Sequence, residues 1–230
     1  MQNPRTVLLI GASRGLGLAL AQEWLSRDVE VVATVRGGQT PLHDLMAKHE
    51  GRLSIEQLEM TDPVALERLL DRLAGRRFDT LFVIAGVALG PGDRVDQVST
   101  EDFCRVMVTN ALSPMRIVDR LGPLVTDEGT IAVMSSSLGS VSLNETGRWE
   151  TYRGSKAALN MLMRSYAARH ANDKRSLALV DPGWVRTEMG GDAAALSIEE
   201  SIPGVVDHLT AQRGKAGLRY FDYKGASVPW

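Results

Sequence analysis

Tyr152 and Lys156 lie four residues apart in the stretch Tyr152-Arg153-Gly154-Ser155-Lys156, a spacing that puts both on one face of a helix. A phenol titrates at about 10 in water. A neighbouring ammonium favours the phenolate, lowers that pKa and makes the tyrosine a usable acid or base near neutral pH. Upstream, Ser135-Ser136-Ser137 closes an apolar run, and a hydroxyl there can hydrogen-bond a substrate carbonyl and orient it. Taken alone, the Tyr-Lys pair is better explained by an ordinary amphipathic helix with a surface lysine and a half-buried tyrosine. Chemistry at this pair needs further groups from elsewhere in the chain.

The chain supplies a second stretch, Thr6–Gly17, reading TVLLIGASRGLG. Val7 to Ile10 is apolar and rich in branched side chains, as suits a strand buried on both faces. Gly11, Gly15 and Gly17, with Ser13, Arg14 and Leu16 among them, then form a strand-to-helix turn. Glycines there permit a tight bend and let backbone N–H groups approach a phosphate, which the following helix dipole also favours. The GxxxGxG spacing differs from the commoner GxGxxG dinucleotide fingerprint. Ser13 is the expected helix cap.

From there helices and strands alternate. Leu18–Arg27 reads as helix, Val29–Val35 as strand, Pro41–His49 as a short helix and Leu53–Leu58 as strand. Thr61-Asp62-Pro63 starts a helix running to about Ala74, and Asp79–Ile84 is the fourth strand. Thr100–Leu121 reads as a long helix interrupted near Asn110 and Pro114, because a proline removes a backbone donor and frees carbonyls one turn back. Thr130–Met134, a helix Tyr152–His170, Leu177–Val180, a helix Ser197–Gln212 and Leu218–Phe221 follow. This alternation predicts an α/β, Rossmann-type doubly wound parallel sheet of about seven strands with helices on both faces, in a single domain over 1–230. Ligands of such sheets bind beyond the carboxyl ends of the strands.

The end of the second strand bears on the choice of cofactor. An acid there would hold the ribose 2′-hydroxyl of NAD, whereas an arginine suits a 2′-phosphate. Thr34-Val35-Arg36 stands at that end with no acid, and Asp28 lies at the opposite end. Arg14 and Arg36 would flank one ribose, so NADP(H) is expected over NAD(H).

A formal net charge of −2 over 230 residues argues against general affinity for nucleic acid or anionic membrane. No stretch reaches membrane-spanning length, and Met1–Thr6 leads straight into the first strand with no basic, apolar leader. The single cysteine, Cys104, excludes an internal disulfide framework and fits a reducing compartment. A cytoplasmic protein is expected. Cys104 reads as an inert core thiol, and His43 and His49 as solvated residues outside any metal-ligand set.

The order of these motifs resembles that of the short-chain dehydrogenases/reductases over nearly the whole chain: the Gly11–Gly17 turn, Asn110, Ser136 with Gly139, Tyr152-x-x-x-Lys156, and Asp181-Pro182-Gly183 with Thr187. Within that family, YRGSKAALNML (152–162), DPGWVRTEMGG (181–191) and FDYKGASVPW (221–230) are similar to the C-factor and Sniffer-like carbonyl reductases. The resemblance implies hydride transfer between NADP(H) and a carbonyl or alcohol substrate. It implies that Tyr152 protonates the carbonyl oxygen while Lys156 lowers its pKa and holds the nicotinamide ribose. Ser136 would orient the carbonyl, with Ser135 and Ser137 as local alternatives, and Asn110 would hold a water on a proton path from Lys156 to solvent. Pro182, Gly183, Val185 and Thr187 would line the nicotinamide pocket, and Glu59 and Met60 would meet the adenine. Ala85-Gly86 keep the second half of a family Asn-Asn-Ala-Gly that adjoins the adenosine. A small-molecule substrate and a homodimer formed through helices are also implied. The other reading is a C-factor-like signalling or nucleotide-sensing protein with little turnover.

Departures from the family pattern are local. Val83-Ile84 replace the Asn-Asn that ties neighbouring strands, Glu59 replaces Asp, and Asp181 stands where His or Asn is frequent. The segment between Ser136 and Tyr152 is longer than the family's usual spacing and holds Asn144, Arg148 and Trp149. It is expected to border the substrate, with Trp149 either stacking on a flat substrate or packing the loop.

Overall fold

β1 (Thr6–Ile10) leads, through the glycine turn, into α1 (Gly15–Ser26) and sits inside the sheet that organises the chain. The structure, a computed structural model, describes residues 5–230; the expectation about a leader in Met1–Thr6 falls mostly on residues 1–4, outside the described residues. The further strands are β2 (Glu30–Val35), β3 (Leu53–Gln57), β4 (Phe78–Val83), β5 (Val125–Met134), β6 (Ser176–Asp181) and β7 (Gly217–Asp222). Among the described residues they form one seven-stranded sheet in the order β3-β2-β1-β4-β5-β6-β7. Every pairing is parallel. The order reverses between β1 and β4, which opens a crevice at their carboxyl ends.

Parallel strands need crossover helices, so both faces are covered. Alternate residues of β1 separate cleanly. Val7 and Leu9 pack with Trp24 and Leu25 of α1 and with Val205 and Leu209 of α7 (Ile198–Gln212). Leu8 and Ile10 face the other way, toward Leu66 and Leu69 of α3 (Pro63–Arg72), Ile117 and Val118 of α5 (Ser113–Leu121), and Leu159 and Met163 of α6 (Glu150–Arg169). Truncating a leucine in such a core costs about 2–5 kcal/mol, so the side-chain pattern of the strands fixes which face each helix occupies. α2 (Pro41–Lys48) covers the β2–β3 edge with the single buried Leu42.

The structure corrects several local expectations. Ser13 is not the cap of α1; the extended Arg14 occupies that position and makes no side-chain cap bond. β5 begins at Val125 rather than Thr130, because Val125 pairs with Phe78 before the register shifts. Cys104 is exposed on α4 (Thr100–Met107), whose buried residue is Val106, so it is not a core thiol. His43 is engaged in the cap of α2, where its Nδ1 accepts the Thr40 N–H at 3.1 Å, and His49 is half-buried beside Arg52 at 3.3 Å. No group of potential metal ligands is found among the described residues.

The long helix breaks where Asn110 and Pro114 lie, as expected. Val108–Leu112 is a π-helical turn joining α4 to α5, and Pro114 falls in the first turn of α5, where a missing N–H is tolerated. The Val83-Ile84 departure is a packing feature. Val83 is 1% and Ile84 9% exposed, and Ile84 N–H bonds the Ile10 carbonyl at 2.9 Å. Backbone and apolar contacts therefore join these strand ends in place of asparagine side chains.

Candidate active site

Helix α6 starts next to the carboxyl ends of β5 and β6 and carries both Tyr152 and Lys156. Lys156 is 3% exposed, and its Nζ donates to the Met134 carbonyl at 2.8 Å while lying 5.7 Å from the centroid of the Tyr152 ring. Burial pushes the lysine down to about 8. The Tyr152 phenol moves the opposite way from the sequence expectation. Burial pushes it well above its ordinary value, the carboxylate of Asp181 adds to that, and the Ser136 hydroxyl at the phenol pulls part of it back. The Tyr-Lys spacing is right, but it is burial of the phenol that sets the direction of its shift. The phenol is thereby held protonated at neutral pH.

The three serines after β5 separate by direction. Ser135 is 2% exposed and its hydroxyl donates to Asn160 Oδ1 at 2.6 Å, in the core. Ser136 accepts the Leu138 N–H at 3.2 Å and faces Tyr152, while its carbonyl accepts the Tyr220 hydroxyl. Ser137 lies against Asp181. Asp181, 6% exposed, also accepts the Gly183 N–H at 3.1 Å; burial raises its pKa and these donors oppose the rise. Of the three, Ser136 is the one beside the phenol.

Asn110, fully buried in the π-helical turn, locks the loop after β4. Its Nδ2 donates to the Val87 carbonyl at 2.8 Å and to Ser155 Oγ at 2.9 Å, and its Oδ1 accepts the Val87 N–H at 2.8 Å. Ser155 in turn donates to the Tyr152 carbonyl at 2.7 Å, so Asn110 is tied to the tyrosine's own backbone. A Cβ at Gly86 would meet Asn110 Oδ1 at 3.3 Å and Lys156 Nζ at 3.6 Å. Gly86 therefore lets the loop after β4 pack closely against both. Asp93 was not singled out in the sequence, yet its Oδ2 accepts the Tyr152 N–H at 3.3 Å and fixes the start of α6. Nothing in the spacing of residues so far apart in the chain announces it.

The glycine turn faces this group across the crevice. Gly11 adopts φ +93°, and a Cβ there would lie 2.6 Å from that of Ala85; one on Gly17 would press into the Gly11 carbonyl. The Gly11 N–H bonds Thr34 Oγ1 at 2.9 Å. Gly15 approaches Thr187, whose Cγ2 a Cβ would meet at 4.0 Å, so the loop after β6 closes the same cleft. Arg14 forms an ion pair with Glu188 on that loop. Arg36 is exposed and without an ion pair among the described residues, its carbonyl accepting Gln57 Nε2 at 2.9 Å. Glu59 Oε1 caps Thr61, accepting its N–H at 3.1 Å and hydroxyl at 2.8 Å, while Met60 is buried in the core. Pro182 and Val185 are buried and Gly183 and Thr187 half-buried, on the loop that follows β6.

A doubly wound parallel sheet with a glycine turn after β1 and a Tyr-x-x-x-Lys helix beside a serine-bearing strand end defines a class. The family of short chain dehydrogenases matches residues 5–196, and the chain belongs to it. A solved Burkholderia multivorans chain, described as a short-chain dehydrogenase/reductase with bound NADP, is 55% identical, covers 99% of this chain and 100% of that one, and superposes with a TM-score of 0.97. A carbonyl reductase of Pseudomonas aeruginosa PAO1 in complex with NADP is 37% identical over 99% of this chain and 100% of that one, with a TM-score of 0.92. The C-signal of Myxococcus xanthus is 34% identical over 154 residues, 66% of this chain and 92% of that protein. The expected likeness to C-factor and carbonyl reductase relatives is borne out.

Proposed function

We propose that this chain is an NADP(H)-dependent reductase of aldehydes or ketones, working as one domain with a cofactor-binding first part and a catalytic second part. The observation that carries the reading is the meeting of Tyr152, Ser136 and Lys156 across one crevice from the glycine turn. The turn fits a dinucleotide because Gly11 and Gly17 let it fold tightly where a Cβ would meet Ala85 or the Gly11 carbonyl, and α1 starts with no side-chain cap on its N–H groups. Gly11, Ser13, Gly15, Leu16 and Gly17 would hold the pyrophosphate side, Arg14 and Arg36 the adenosine ribose with its 2′-phosphate, Glu59, Met60, Ala85 and Gly86 the adenine side, and Pro182, Gly183, Val185 and Thr187 the nicotinamide side. When bound, NADPH supplies the hydride. Ser136 orients the carbonyl, the protonated phenol of Tyr152 gives its proton to the carbonyl oxygen, and Lys156 and Asn110 serve the return of that proton from solvent.

The likeness to C-signal supports a second reading, a signalling protein with little turnover. The complete Ser-Tyr-Lys-Asn set favours catalysis, since sensing alone has no use for a proton donor. Loss of NADPH absorbance with a panel of aldehydes and ketones is the expected result. No oxidation with any of them would favour signalling. A small-molecule substrate, a homodimer through helices and a cytoplasmic location belong to the same proposal. Exposed Phe103 and Met161 on α4 and α6 are consistent with helix association, and no described helix is long and apolar enough to cross a membrane.

NADP(H) is expected over NAD(H). Arg36 is free to meet a 2′-phosphate, and the exposed Arg14–Glu188 pair is of the kind worth little in water, so Arg14 can exchange partners. Replacing Arg36 with Ala should weaken NADPH on the order of ten-fold more than NADH. Titrating both cofactors against both proteins checks this, and an equal loss for the two would remove Arg36 from phosphate recognition.

A further inference from the structure

Trp149 has a backbone that side chains of its size rarely adopt. Its φ of 63° and ψ of 42° lie in the left-handed region, where a bulky residue is an outlier that its surroundings must over-determine. Here they do. The Trp149 carbonyl accepts the Arg153 N–H at 2.8 Å, which starts α6. The Arg153 side chain is 9% exposed and reaches back to the loop, donating Nε to the Arg148 carbonyl at 2.7 Å and a terminal nitrogen to Thr146 Oγ1 at 3.2 Å. No carboxylate pairs with it among the described residues, and its other terminal nitrogen is buried without a partner, so the hydrogen bonds of this guanidinium go to the loop alone. From the other side, Glu150 holds the Val95 N–H at 2.9 Å. The half-buried indole is thereby fixed 6.1 Å from the Tyr152 ring, with the two planes at 64°.

We infer that Trp149 is a substrate-binding residue that selects planar aromatic carbonyl compounds, with Arg153 as the positioning residue that fixes the indole. The inference rests on the reading of Tyr152 as the acid at the carbonyl and deepens it by naming the substrate class. A carbonyl compound held at the Tyr152 hydroxyl would extend one of its two substituents toward Trp149, whose ring centre lies 6.1 Å from the tyrosine's. A flat π system there gains an offset or edge contact, whereas a short alkyl group gains neither. Trp184 and Met189, exposed on the loop after β6, add apolar surface at the same end of the sheet.

Two vicinal diketones with matched carbonyl chemistry test this: phenanthrenequinone, planar and aromatic, and diacetyl, small and aliphatic. With NADPH saturating, the ratio of their kcat/KM values should fall roughly ten-fold in Trp149→Ala, mainly through a higher KM for phenanthrenequinone. Trp149→Phe should retain most of the ratio, and Arg153→Met should lower it in the same direction. An unchanged ratio in a folded Trp149→Ala protein would overturn the inference, because a residue that merely packs against Tyr152 affects both ketones alike. Calorimetric binding of phenanthrenequinone to the protein loaded with NADP gives a readout independent of turnover. If the wild type reduces neither these ketones nor any of the wider panel, the reductase reading fails, while tighter binding by wild type than by Trp149→Ala still upholds the aromatic site. Equal binding by the two, including none by either, overturns it.

Discussion

Replacing Tyr152 with Phe is expected to lower carbonyl reduction by roughly two orders of magnitude or more, the scale of a general acid's contribution. The change deletes one oxygen and preserves the ring that packs 6.1 Å from Trp149. Cofactor affinity should therefore change little, and the effect should appear in kcat. The acid assignment gains weight from the environment of the phenol: burial and the Asp181 carboxylate keep it protonated, which is the state an acid must start from. Stopped-flow reduction with excess NADPH measures the loss directly. Wild-type turnover in Tyr152→Phe would remove the tyrosine from the chemistry.

A second large effect is expected at Lys156. Its ammonium is pushed down to about 8 by burial, so it is charged below that pH and loses its charge above it. The kcat/KM for NADPH, which reports the protein before NADPH binds, should accordingly decline as pH rises past about 8. Lys156→Ala should abolish that decline, lower activity throughout, and raise the apparent pKa of the tyrosine by removing the positive charge 5.7 Å from its ring. NADPH binding should weaken roughly ten-fold, because the same ammonium is proposed to hold the ribose. A shifted pH profile with intact NADPH affinity would show that the lysine serves the proton alone.

The parts of this site that repeat with a helix's or strand's own period were readable in the sequence. The Tyr152–Lys156 spacing, the glycine turn after an apolar strand and the β/α alternation are local patterns, and the structure reproduces them. What depends on distant neighbours was not. The sequence offered Ser135, Ser136 and Ser137 as alternatives, and only the position of Asn160, which engages Ser135 at 2.6 Å, turns one of them inward. The bond from the Tyr152 N–H to Asp93 spans 59 positions, and no periodicity predicts it. The phenol's upward shift was missed for a related reason: the spacing reveals a nearby lysine but not the depth of burial that sets the shift. Cys104 was misplaced because the apolar residues around it in sequence do not tell which side of α4 meets the protein.

The π-helical turn at Val108–Leu112 has a consequence for how the gene can vary. Such a turn holds one more residue per hydrogen-bonded loop than an α-helical one, so it behaves as an insertion that the long helix has absorbed. Val106 before it and Ile117, Val118 and Leu121 after it are all fully buried, so both halves keep their apolar faces inward only with that extra residue present. Loss of one codon in this segment would close the helix to its regular pitch and rotate one half against the other by about 100°. Ile117 and Val118 would swing toward water, and Asn110 would leave Val87. Most substitutions on the outer face of this helix would be absorbed, whereas an in-frame deletion would disable packing and site together.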